Sequence, residues 1–192
     1  MKKFTLLVLM IFALSLFSGC FGDEEETPTE VKTETSFYQT DEYSIYYPAE
    51  WEVIEKNDFT ADIPKETQVV FRNNVKSDIF TANVNVSKTD ISDRLTSKEY
   101  ANEIINSQNK NLKNFKELAK EEVTLKIGES DINTFVYAFQ GKQRTIDETV
   151  KFIQTYLAKG NSGYIATCAV SLSEDEHTST ICENMVRSLN VK

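Results

Sequence analysis

The chain has 192 residues, with 21 Lys and Arg against 30 Asp and Glu, one His and a net charge of −9 at pH 7. That surplus of acid argues against nucleic acid and anionic lipid headgroups as partners, and a lone histidine leaves no histidine-based metal cluster. A hydrophobic content of 40% over this length is enough for one domain with a good core.

Lys2 and Lys3 precede fourteen uncharged residues, 4–17, after which Ser18 and Gly19 lead into Cys20. This is the layout of a secretory signal, and the apolar run is shorter than the roughly 20 residues that a membrane helix needs. The stretch Leu16-Phe17-Ser18-Gly19-Cys20 resembles the lipobox of prokaryotic lipoproteins, with Phe17 where Leu, Val or Ala is usual. The resemblance implies that 1–19 is a removed signal peptide, that Cys20 receives lipid, and that the product is held on the cell membrane facing away from the cytoplasm. Ordinary cleavage and an uncleaved N-terminal anchor are the alternatives. Losing Lys2 and Lys3 takes the net charge from −9 to −11. Residues 20–35 run on through Asp23-Glu24-Glu25-Glu26-Thr27-Pro28 with almost nothing apolar to bury, which predicts a flexible acidic linker. The acidic cluster lacks the Gly turn and alternating ligands of a calcium loop.

The globular domain is expected over 36–192. Aromatic and β-branched residues at 37–38, 43–48 and 51–54 read as short strands, with Pro48 ending one of them because it has no N–H for a ladder. Another short strand is expected at 68–72. Over 79–87 alternation is clear: Phe80, Ala82, Val84 and Val86 share one face, and Thr81, Asn83, Asn85 and Ser87 the other. Thr96 followed by Glu99 is a capping box opening a helix that should end near Asn114, with Tyr100, Ile104, Leu112 and Phe115 on its apolar side. Strands at 121–127, 132–140, 145–157 and 163–171 follow, separated by Gly-containing turns that suit consecutive hairpins. Ser173 with Glu176 reads as a second capping box, opening a helix whose apolar arc is Ile181, Cys182, Met185, Val186 and Leu189.

Setting Cys20 aside leaves an even pair, Cys168 and Cys182, in a chain expected to leave the cytoplasm. Period two places Cys168 with Tyr164, Ala166 and Val170 on the apolar face of its strand, and Cys182 lies in the apolar arc of the last helix. Both thiols therefore point into one layer, and a disulfide is expected between them.

Strands, helix, strands, helix predicts an α+β fold, a central antiparallel β-sheet flanked by helices. This order, with Tyr43-Ser44-Ile45-Tyr46-Tyr47-Pro48-Ala49-Glu50-Trp51 at its start, resembles the PsbP-like family over about 36–192. The resemblance implies an α-β-α sandwich and a non-enzymatic role; relatives include an extrinsic photosystem subunit, a nuclear-transport factor and many prokaryotic lipoproteins. Their partners differ, so fold alone transfers none of them.

Chemistry is sparse. His177 reads as a surface residue of the last helix, Gly141-Lys142-Gln143 as a turn and not a phosphate loop, and no nucleophile motif accompanies them. No catalytic residue, metal or cofactor is therefore expected. Asn85-Val86-Ser87 is an N-glycosylation acceptor by pattern, used only in a suitable organism. Tyr46 and Tyr47 are candidate interaction residues, while Trp51 and alternate tyrosines are expected in the core. Two functions follow. One is a membrane-anchored interaction or assembly module holding an envelope or surface protein; the other is a solute-binding or hydrolytic envelope domain with a carboxylate-lined pocket.

Overall fold

A computed structural model describes residues 34–60, 63–75, 80–91, 94–144 and 147–192. The signal segment 1–19, Cys20 and the linker up to residue 33 lie outside the described residues. Ten strands form one sheet: β1 (Thr35–Gln39), β2 (Tyr43–Pro48), β3 (Glu52–Glu55), β4 (Thr67–Arg72), β5 (Asn83–Asp90), β6 (Lys113–Ile127), β7 (Ser130–Lys142), β8 (Val150–Lys159), β9 (Ser162–Ser171) and β10 (Asn190–Val191). Two helices accompany them, α1 (Ser97–Asn111) and α2 (Glu176–Arg187). In space the strands run β1-β2-β10-β6-β7-β8-β9-β5-β4-β3.

The predicted meander is present, since β6 to β9 pair antiparallel in chain order. The expected α-β-α sandwich around an antiparallel sheet is not what forms, and three observations correct it. Strands hold most of the described residues, and the sheet is mixed because β10 runs parallel to β6 while pairing antiparallel with β2. The sheet also curls into a half-barrel: Tyr38 of β1 and Tyr47 of β2 bring their rings to 5.5 and 5.0 Å from Phe71 of β4, near the opposite edge. Strand twist accumulated over so many strands rolls a sheet up instead of leaving a flat layer to be covered.

Both faces of β7, β8 and β9 are buried, by different helices. Tyr100, Ala101 and Ile105 of α1 pack with Tyr137, Phe139, Tyr156 and Ile165 on one face. On the other, Cys182, Met185, Val186 and Leu189 meet Val84, Val86, Ala166, Val170 and the aromatics Tyr43, Trp51 and Phe71. Trp51 is thus a core residue, as expected. Cys168 and Cys182 are bonded in this second core, fully buried, with Cα atoms 5.7 Å apart.

Helix α1 starts as predicted: Thr96 Oγ1 accepts from the Glu99 N–H, and the Glu99 carboxylate accepts from the Thr96 N–H. Its end lies earlier than expected. Asn111 is the last helical residue, and Asn114, in the left-handed region at φ 53°, redirects the chain into β6. Phe115 still reaches the α1 core, from β6, stacking on Phe139 at 5.5 Å. Helix α2 is capped by Asp175 and not by Ser173: the Thr178 N–H donates to the Asp175 carboxylate at 2.8 Å.

Candidate functional site

Thr40 Oγ1 accepts from the main-chain N–H of Glu42 and of Tyr43, which fixes the β1–β2 turn and hence its register. That register sets Phe37 opposite Tyr46. The two rings lie 4.8 Å apart and stay 49% and 53% exposed, a large apolar pair left uncovered by the fold. One residue further, Tyr47 turns inward against Phe71, so the sequence candidates Tyr46 and Tyr47 sit on opposite sides of one strand. Tyr43 joins Trp51 in the core.

The β2 edge next to α2 is closed to strand addition. The Tyr46 N–H donates to Ser188 Oγ at 3.0 Å, Pro48 has no N–H, and the Pro48 carbonyl accepts from Trp51. Opposite this edge, α2 shows a stripe at helical spacing: His177, Thr180, Ile181 and Asn184. Its angle about the axis is set where the helix starts. Bonds from the Thr178 N–H and hydroxyl hold the Asp175 carboxyl below its usual range, whereas burial, and then the Asp175 charge, push Glu174 up.

Between strand edge and helix lies a groove of about 280 Å³, lined by Thr35, Tyr46, Tyr47, Pro48, His177, Thr180, Ile181, Asn184 and Met185. It unites His177 with both candidate tyrosines, which are remote in sequence. Phe37, Thr180 and Asn184 were not singled out from the sequence; the i, i+3, i+7 polar spacing from His177 is the signal that marks two of them. No carboxylate lines this groove.

A second groove, about 490 Å³, lies on the other flank of α2, floored by Val136, Ala138 and Ile153 with Leu118 and Leu172 at its mouth. Its carboxylates are Glu121 and Glu183, and Arg187 pairs with both. They form an ion-pair cluster in place of a free acid–base pair. Among the described residues no three His, Cys, Asp or Glu side chains gather as a metal site would require. No described helix is long and apolar enough to cross a membrane. Asn85 stands half-buried in the middle of β5, paired with Val70 on one side and Thr167 on the other.

No family model matches the chain, and no curated protein does. Solved structures match by shape. Cyanobacterial PsbP (CyanoP) from Synechocystis superposes with a TM-score of 0.56 at 12% identity, covering 86% of this chain and 96% of that one. The fold is that of PsbP. Two other structures align less well: a protein of unknown function from Pseudomonas aeruginosa, with a TM-score of 0.48, 12% identity and coverage of 76% and 89%, and LpqN of Mycobacterium tuberculosis, involved in cell envelope biogenesis, with 0.46, 12%, 85% and 87%. At this identity the match speaks for architecture alone.

Proposed function

We propose that this protein is a non-catalytic interaction module of the cell envelope, anchored by lipid on Cys20 and facing away from the cytoplasm. The exposed Phe37–Tyr46 pair carries the reading. Two aromatic rings in contact, each about half exposed on a strand pair fixed by its own turn, form a rigid anchor of the kind on which interface energy concentrates. The Arg187-paired carboxylates give no support to a hydrolytic role.

Two variants test the two halves of the proposal. Cys20→Ala is expected to leave an unprocessed precursor or to release the domain from the membrane fraction; unchanged fractionation and mobility would remove the lipid anchor from the reading. Phe37→Ser combined with Tyr46→Ser is expected to lower co-purification of envelope proteins at least about tenfold, because losing two aromatic anchors removes most of a small interface. Turnover of an ester, peptide or glycoside, lost on His177→Ala, would replace the reading with an enzymatic one.

A further inference from the structure

We propose that the groove between β2 and α2 binds a neutral saccharide. The proposal rests on the interaction reading of the same surface and names the chemistry of what is held there.

Charge gives the first reason. Charged residues make up 27% of the chain, yet none of the nine residues lining this groove is Asp, Glu, Lys or Arg. An ion entering it would lose hydration and meet no counter-charge, so the groove selects against anions and cations.

Unused polar groups give the second. Among the described residues, the side chains of Thr35, His177, Thr180 and Asn184 make no hydrogen bond, although most other polar side chains near α2 do. Together they present hydroxyls, an amide and an imidazole, which can both donate and accept. A sugar hydroxyl also does both, so each hydroxyl of a ring finds a partner among them.

The third is the platform. Tyr46 is braced by Phe37 at 4.8 Å, and its main chain is pinned by Ser188, so its ring is held in place before any ligand arrives. The C–H face of a pyranose lies flat on such a ring, adding apolar contact beneath polar bonds at the rim. A peptide strand is the competing occupant. It would need main-chain donors along β2, and those are taken or missing at Tyr46 and Pro48. At about 280 Å³ the groove is at the small end of ligand sites, the size for a short saccharide segment.

The test is a titration of the isotope-labelled full chain in detergent with neutral gluco-, manno- and galacto-oligosaccharides, read by NMR. Saturation transfer to a sugar and shifts of the Asn184 side-chain amide are expected at millimolar concentrations. Tyr46→Ala and Asn184→Ala should each weaken binding about tenfold, and Tyr46→Phe, which keeps the ring, by no more than about threefold. Asn109→Ala, on the exposed side of α1, should change nothing. Absence of binding by all three sugar classes overturns the proposal, as do affinities indifferent to Tyr46 and Asn184, or an acidic sugar or a peptide shifting the same amide instead. If sugars fail while partner capture still depends on Phe37 and Tyr46, this inference falls and the interaction reading stands. Loss of both would overturn both.

Discussion

Gly163 shows how much a single atom decides here. A Cβ at this position would lie 2.3 Å from the Tyr100 ring, which is itself held between α1 and the sheet. Gly163→Ala is expected to destabilise the fold by about 1–3 kcal/mol, read as a lower urea midpoint, with part of the loss recovered by adding Tyr100→Leu; an unchanged midpoint would contradict this contact. The buried phenols predict the response to alkali. Burial is the main cause that raises Tyr43, Tyr100, Tyr137 and Tyr156, and for Tyr137 a bond donated to Glu117 adds to it. A folded pKa above the unfolded one contributes stability that is intact below about pH 10 and lost as pH rises through the raised value. Tyrosinate absorbance from these groups is therefore expected to appear together with loss of circular dichroism, and ionisation of all four with the fold intact would contradict it. At this scale the sequence was half informative. Alternation told which face of β5 is buried, whereas β9 is buried on both faces; Tyr46 and Tyr47 were both candidates, and which of them is outside depends on a turn and on Ser188, far along the chain.

Helix caps and strand register belong to the next scale. Thr96 with Glu99 was legible because a capping box is a local pattern of two residue types, and Thr96→Ala is expected to lower stability by about 1 kcal/mol. The start of α2 was less so, because Ser173, Asp175 and Glu176 all suit a helix start and only the bond from Thr178 selects Asp175. Depressed carboxyls at Glu99 and Asp175 contribute stability present above their unfolded pKa and lost as pH falls through the folded one. Asp175→Asn should therefore flatten the acid limb of the pH–stability curve. The first half of β6, rich in Lys and Glu, gave no strand signal; pairing with β7 imposes the extended state, with bulges between Lys113 and Lys116 and between Glu117 and Ala119. Charges and bulges also protect the edge of β6, which meets another described strand only through the two residues of β10. The disulfide joins elements that the sequence did place correctly, β9 and α2. Across a separation of 14 residues it should contribute about 3 kcal/mol, so two alkylatable thiols at Cys168 and Cys182 after native extraction, or an unchanged midpoint on reduction, would contradict it.

For the whole molecule, the curl and the mixed sheet were the least legible features. A parallel pair of two residues at the C-terminus leaves no periodic trace, yet β10 joins the N-terminal hairpin to the meander: the Gly128 N–H donates to the Val191 carbonyl and the Lys192 N–H to that of Glu42. Deleting 190–192 is expected to free β1–β2 from the rest of the sheet, visible as fast hydrogen exchange confined to that hairpin while β7 to β9 stay protected; uniform protection would contradict this role. The same hairpin carries the exposed aromatic pair, so closure of the sheet also places the proposed binding face. The most direct test of that face is a photocrosslinking residue at Gln39, exposed beside Phe37 on β1, in the full chain within native membranes. A discrete adduct is expected with the wild-type aromatics and not with Phe37→Ser and Tyr46→Ser, while a probe at Asn109 on α1 gives none. An adduct indifferent to those two rings, or the same adduct from Asn109, would contradict the reading of this protein as an interaction module that works through Phe37 and Tyr46.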